Sequence, residues 1–154
     1  MIAVIQRVKR ASVDVDGRTV GKCAEGLCVL LGVAKEDTRE DADALVRKIL
    51  NLRIFSDAEG KMNLSLVDIK GEMLLVSNFT LLAAYRKGNR PDYMGAAAPD
   101  KANELYEYFA YCCESFVPVE RGIFGADMEL TIVNDGPVTI VMDSNVLKAP
   151  KSKV

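Results

Sequence analysis

A chain of 154 residues, 49% hydrophobic and 27% charged, has the length and composition of one soluble domain that buries a sizeable core without disulfide or metal staples. Its formal charge of −2 argues against a broad basic face for indiscriminate nucleic-acid binding. It contains no histidine, which excludes Ser-His-Asp and Cys-His triads and every imidazole-ligated zinc site.

Ile2, Val4 and Val8 follow strand alternation, with Gln6 interrupting the apolar face. No basic stretch followed by a long apolar one opens the chain, and no apolar run reaches the ~18 residues of a membrane span, so a cytoplasmic location and no membrane partner are expected. Residues 12–15 and 19–23 flank Asp16-Gly17, a favoured hairpin pair. Residues 26–33, GLCVLLGV, suit a strand buried on both faces, so the opening third reads as a β-meander. Thr38 with Asp41 three residues later forms an approximate capping box. The helix it starts carries Ala42, Leu45, Val46, Ile49 and Leu50 on one stripe and should end near Asn51 or Leu52.

Ile54-Phe55 looks like a short strand, followed by a polar turn over residues 56–61 in which Lys61 either contacts phosphate or solvates the turn. Residues 72–76 form an apolar strand that delivers Ser77-Asn78-Phe79-Thr80-Leu81 at its end. Residues 85–99 are irregular, and a loop of that length in a compact domain is often functional. Arg86, Lys87 and Arg90 make it one of three basic clusters, with Arg7, Lys9 and Arg10 and with Lys148, Lys151 and Lys153; a solvated surface is the ordinary reading of each. Pro99-Asp100 opens a second helix with a buried stripe of Ala102, Leu105, Phe109, Cys112 and Phe116. Residues 130–133 and 138–142 read as strands separated by Asn134-Asp135-Gly136-Pro137. The pattern fades after Ser144, giving one domain over residues 1–144 and a short basic tail, 145–154, expected to be poorly ordered. Cys23, Cys28, Cys112 and Cys113 lack the spacing of a disulfide framework and read as free, mostly buried thiols.

Two segments have chemical potential. Hydroxyls and free backbone N–H groups at the strand end Ser77-Asn78-Phe79-Thr80 could bind an ester and its oxyanion, although Ser, Asn and Thr are equally ordinary turn residues. Asn134-Asp135-Gly136-Pro137-Val138-Thr139 contains an Asp-Gly pair, which favours a plain hairpin turn, but Pro137 does not belong in a regular central strand and X-Pro bonds are the usual home of cis peptides.

Taken together these segments resemble the D-aminoacyl-tRNA deacylases. Residues 77–81 look like the family's SQxxT motif and residues 134–139 like its NxGPxT motif. The resemblance also runs through MIAVIQRV (1–8), ASV (11–13), LLGV (30–33), RIFSDAEGKMNL (53–64), residues 86–91 and GIFGADM (122–128). Several motifs in order across one domain are far more specific than one. Two departures stand out: Asn78 replaces the family's usual Gln, one methylene longer, and Asp92-Tyr93 stands where Ser-Phe is common.

The resemblance implies a single α/β (α+β) domain with a β-barrel-like core of antiparallel or mixed strands and two main helices. It implies an ester hydrolase that removes D-amino acids, and glycine, from the 3′ end of tRNA as a translational proofreading step. It implies a homodimer with active sites at the subunit interface, and neither cofactor nor metal. Ser77, Phe79 and Thr80 would bind the terminal adenosine and scissile ester, with Asn78, Phe124, Ala126, Met128, Asn134 and Thr139 contributing to substrate binding. Gly136-Pro137 would be a cis chiral filter whose carbonyls, inserted into the other subunit's site, accept from the substrate α-ammonium and exclude an L side chain. Arg7 would brace that segment across the interface, or simply be a surface cation on an edge strand. Thr80 as a nucleophile lacks any base to activate it. Other readings are a general small-ester hydrolase using Cys112 or Cys113, and an RNA-binding or editing-accessory module related to the editing domain of archaeal threonyl-tRNA synthetases.

Overall fold

The computed structural model describes residues 1–151. Its spine is β1 (Ile2–Val15), which pairs antiparallel with β8 (Glu129–Asp143) along one side. On its other side β1 pairs first with β3 (Gly26–Gly32) and then with β2 (Arg18–Cys23). Asp16 and Gly17 take φ of 51° and 75°, the left-handed pair that a two-residue hairpin needs. The opening is not the expected meander, because β3 returns to the first half of β1 instead of pairing with β2. β6 (Glu72–Ser77) runs parallel to β3, and β7 (Val119–Arg121) runs parallel to β6.

The sheet nearly closes on itself where β7 meets β2. There the Lys22 amide donates to the Glu120 carboxylate at 3.1 Å, and a Cβ on Gly21 would fall 2.5 Å from the Arg121 carbonyl oxygen. Only glycine permits that approach. The result is a mixed, barrel-like sheet, and the small hairpin of β4 (Phe55–Ser56) and β5 (Met62–Leu64) stands apart from it.

Alternation along the strands builds two cores. Val8, Val13, Cys23, Cys28, Leu74 and Val76 form one cluster, with Met128, Leu130 and Ile132 packed against it. Ile5, Leu27, Val29, Leu31, Met73 and Leu75 project the other way, against α1 (Arg39–Asn51) and α2 (Pro99–Glu114). The unbroken apolar run of β3 therefore does serve both faces. In α1 the Asp41 carboxylate accepts from the Thr38 amide at 2.9 Å, and the five stripe residues are buried as the periodicity predicts.

α2 differs from expectation. Its buried face is Ala102, Leu105, Tyr106, Phe109, Ala110 and Cys113, while Cys112 is half-buried and Phe116 is exposed. The helix ends at Glu114, so Phe116 leaves the stripe, and the Tyr106 hydroxyl, donating to the Leu75 carbonyl at 2.9 Å, tilts the packed face by one position.

The tail also differs, since Ser144–Lys148 form a short helix, α3. Lys148 Nζ lies 2.6 Å from the buried Asp41 carboxylate, which also accepts from the Ser144 hydroxyl at 2.7 Å. Burial pushes the Asp41 carboxyl up, but the hydrogen bonds from Lys148, Ser144 and Thr38 outweigh it and hold the group well below the usual carboxylate range. The Met1 ammonium joins the same network through Asp37 (2.8 Å) and Ser144 (2.9 Å). Lys153, the last member of the third basic cluster, lies outside the described residues. Among the described residues no helix is long and apolar enough to cross a membrane.

Candidate functional site

A cavity of about 710 Å³ opens where β6 ends. Ser77, opposite Leu31 in the parallel register, is the last residue of the strand, and the Asn78 amide still donates to the Leu31 carbonyl at 2.8 Å. The chain then turns into a single 3-10 turn, Phe79–Leu82. Gly32 makes room for it, because a Cβ there would meet Leu82 at 2.6 Å and the Asn78 carbonyl at 2.9 Å. Leu31 and Val76 form the cavity floor, Tyr106 of α2 and Phe124 one wall, and small residues, Ala97, Ala102 and Ala126, leave the space open. The lining is mostly apolar and contains no charged side chain. Such a pocket suits a flat, uncharged ring system with a few polar anchors at its edge.

Six of the expected site residues, Ser77, Asn78, Phe79, Phe124, Ala126 and Met128, meet in this cavity although they come from two distant stretches of chain. Thr80 does not; its hydroxyl donates to the Asn78 side-chain carbonyl at 2.5 Å. Tyr93 and Tyr106 also line the cavity and were not expected there. Tyr106 falls beside the stripe that helical periodicity picks out, and Tyr93 lies in the irregular loop, where the hints are that loop's length and the departure from Ser-Phe at residues 92 and 93.

Asn134, Gly136, Pro137, Thr139 and Arg7 form a second group, outside the cavity of their own chain. The plain hairpin does not occur. β8 continues in one direction, antiparallel to β1, on both sides of the segment. Gln6 pairs with Thr139 and Val8 with Asn134, so residues 135–138 bulge out of the ladder. The reason is that both flanks pair with the same strand, which leaves no second strand for a reversal to meet.

Side chains hold the bulge. Asn134 Nδ2 donates to the carbonyls of Arg7 and Val138, both at 3.0 Å. The Thr139 hydroxyl donates to Asn134 Oδ1 at 3.4 Å and accepts from Gln6 Nε2 at 3.3 Å. Arg7 Nε donates to the Asp135 carbonyl at 3.1 Å, and its Nη1 to the Ile54 carbonyl at 2.7 Å. Arg7 is thus neither a surface cation nor on an edge strand, since β1 is paired on both sides, and these contacts are made within its own chain. At the tip the Gly136-Pro137 bond is cis, Gly136 has φ of 128°, and both residues are exposed. A Cβ on Gly136 would lie 2.9 Å from Val138 Cγ2 and 3.2 Å from Arg7 Nη2.

The remaining candidates stay apart. Burial pushes the Cys28 and Cys113 thiols up to about 12 and Cys23 to about 11, and none lines the cavity. Lys61 pairs loosely with Glu59 at 3.7 Å in its exposed turn. Among the described residues no three His, Cys, Asp or Glu side chains cluster as a metal site.

The site thus joins a barrel-like mixed sheet to an apolar cavity at a strand end, edged by the Ser77 hydroxyl and the Asn78 amide. The chain belongs to the D-Tyr-tRNA(Tyr) deacylase family, whose model matches residues 4–143. A solved structure described as "c-Myc DNA Unwinding Element Binding Protein" is 44% identical, with a TM-score of 0.88, covering 93% of this chain and 98% of that one. A second, described as "Structural Analysis of a probable eukaryotic D-amino acid tRNA deacylase", has a TM-score of 0.78 over 92% of this chain and 98% of that one; at 20% identity it speaks for the fold.

Proposed function

We propose that this protein hydrolyses D-aminoacyl-tRNA and glycyl-tRNA, spares L-aminoacyl-tRNA, and works in the cytoplasm as a homodimer whose Gly136-Pro137 bulge enters the cavity of the other copy. The observation that carries this reading is a mismatch. The cavity holds no charged group to read an α-ammonium, while the exposed Gly136-Pro137 pair, on a firmly braced bulge, stands in the same chain outside that cavity. A two-fold arrangement brings the two together and supplies each with what it lacks.

In that site the terminal adenosine occupies the apolar cavity, with Ser77 at its edge. Water adds to the ester carbonyl carbon, and the amides of Phe79 and Thr80, first in the 3-10 turn and so without intrahelical acceptors, face the developing oxyanion. The C–O bond to the 3′ oxygen then breaks, and that oxygen leaves as the ribose hydroxyl, with the proton coming from the water by way of the neighbouring 2′-hydroxyl. No side-chain base is required, which suits a chain without histidine. The Gly136 and Pro137 carbonyls accept from the α-ammonium and fill the space of an L side chain; glycine passes because it has none to exclude.

Parallel assays on D-tyrosyl-, L-tyrosyl- and glycyl-tRNA test the chemistry, and equal hydrolysis of the D and L forms sinks the filter. Mixed dimers test the geometry. A copy with a blocked cavity, Ala126→Trp, and a copy with a distorted bulge, Gly136→Val, should restore one D-selective site when combined. No restoration in a verified mixed dimer means that the bulge does not serve the partner's cavity. A nucleic-acid-binding protein without catalysis predicts binding of charged tRNA with no deacylation; the description of the 44%-identical structure names binding, to a DNA unwinding element.

A further inference from the structure

The loop at residues 85–91 has no part in the cavity or the bulge, yet it is built with care. Its ends are tied by a reciprocal backbone bridge, Ala84 N–H to Asp92 carbonyl at 2.7 Å and Asp92 N–H to Ala84 carbonyl at 2.8 Å. The Asp92 carboxylate is spent on the next turn, accepting the Met94 amide at 2.7 Å. Between these ties the loop carries Arg86, Lys87 and Arg90, all exposed, and no acid, in a chain whose net charge is −2. None of the three has an acidic partner among the ion pairs of the described residues.

The root of the loop is also the rim of the cavity. Tyr93, next to the bridge, packs edge-on against Phe79 with ring centroids 5.2 Å apart. Both rings line the cavity, but Phe79 remains 58% exposed and Tyr93 38% exposed. Two aromatic rings half in water beside three unpaired cations is the arrangement with which proteins hold single-stranded nucleic acid: bases stack on the rings and phosphates track the cations, with little regard to sequence.

We infer that the Phe79–Tyr93 pair and the loop form a second subsite for the unpaired nucleotides immediately 5′ of the one in the cavity. The base next to the terminal nucleoside lies against the aromatic rim, and the phosphates that follow lie against Arg86, Lys87 and Arg90. The subsite rests on the deacylase reading for the identity of the RNA, and on charge and exposed aromatic surface for its existence. It divides the work: the cavity selects the terminal nucleoside and its ester, and the loop supplies affinity for the polynucleotide.

The test compares two substrates, D-tyrosyl-adenosine, which reaches only the cavity, and a D-tyrosylated RNA minihelix with an unpaired 3′ tail. The variant Arg86→Gln/Lys87→Gln/Arg90→Gln should raise KM for the minihelix about tenfold or more, leave kcat alone, and leave both constants for D-tyrosyl-adenosine unchanged. For the uncharged minihelix, fluorescence anisotropy against salt should give a log–log slope shallower by about 2, since three single-strand phosphate contacts carry about 0.7 each. Tyr93→Ala should weaken that binding, and Tyr93→Phe should restore it. An unchanged minihelix KM and salt slope overturns the inference, as does an equal loss on both substrates, which would make the loop part of the cavity. Should the unmodified protein hydrolyse neither substrate, the deacylase reading fails, and the anisotropy slope alone still decides whether the loop binds RNA.

Discussion

The cavity and the Gly136-Pro137 bulge are built by opposite means. The cavity is shaped by main chain and apolar packing: two parallel strand ends, an aromatic wall and a few alanines where larger residues would fill it. The bulge has almost no apolar support and is held by the Asn134 amide, the Arg7 guanidinium and the Thr139 hydroxyl, each bonding to backbone or to another of these polar groups. A packed cavity tolerates the loss of one polar group, because its form does not depend on any single one. A loop pinned by side-chain hydrogen bonds does not, because the loss of a pin removes a bond that fixes its main chain.

The difference can be broken first at the cavity. Ala126→Trp puts a large ring into the space the terminal nucleoside needs, so turnover of D-tyrosyl-tRNA should fall by a hundredfold or more, about what gross misplacement of a substrate costs, with the melting transition retained. Retained turnover would place the reaction elsewhere. At the bulge, Asn134→Ala removes both bonds that close its base, so unfolding in urea should show a loss of about 1–3 kcal/mol. Its sharper signature is selectivity: the ratio of D- to L-tyrosyl-tRNA hydrolysis should drop about tenfold, a change of about 1.4 kcal/mol between the two transition states, while kcat for the D form moves little. Intact selectivity with that loss of stability would show that the bulge does not read handedness.

The Asp41 network extends the contrast to stability. The folded-state value of this carboxyl is depressed, so its contribution is present above the unfolded value of about 3.9 and is lost as pH falls through the folded value. Lys148→Met removes the nearest donor and should lower the thermal midpoint near neutrality, and make it fall less steeply on acidification. An acid limb unchanged in slope would remove Lys148 as the cause of the depression. Deacylation should not respond, because neither residue approaches the cavity.

What the sequence revealed follows the same division. Strand alternation and the helical stripe of α1 are local patterns of apolar residues, and β1, β2, β3, α1, β6 and α2 could be read from such patterns in chain order, whereas the short β5, β7 and α3 could not. The Ser77–Phe79 and Phe124–Met128 segments were legible as motifs, and the cavity brings them together. Long-range partnership was not legible. Nothing local says that β3 pairs with β1, or that β8 passes Gly136 without reversing, because Asp-Gly is as good a hairpin pair as it is a bulge. Arg7 read equally as a brace across the interface or as a surface cation, because its two carbonyl acceptors, on Ile54 and Asp135, are 47 and 128 residues away. Residues 145–148 looked like tail because one short turn of helix has too little periodicity to register; the ion pair of Lys148 with Asp41, across the fold, is what ties it down.

Thr80 shows how small an effect a conspicuous hydroxyl can have. Its side chain lies outside the cavity lining and donates to Asn78, so in the proposed mechanism it orients that amide and leaves the attack to water. Thr80→Ala should therefore cost about threefold or less in kcat/KM, below 1 kcal/mol in the barrier. Complete loss, with folding and tRNA binding intact, would restore the hydroxyl as a nucleophile.

The smallest expected effect belongs to the thiols. With Cys28 and Cys113 pushed up to about 12 by burial and Cys23 up to about 11, thiolate at pH 7.5 is below about one part in a thousand at each, and none of them reaches the cavity. Only the half-buried Cys112 is open to reagent, and it sits on α2 outside the cavity lining. Iodoacetamide should label it without changing the rate of D-tyrosyl-tRNA hydrolysis. Inactivation in step with that label, absent in Cys112→Ser, would mean that a covalent acyl-thiol route runs in place of backbone-assisted attack by water, and the cavity would then be only a binding site.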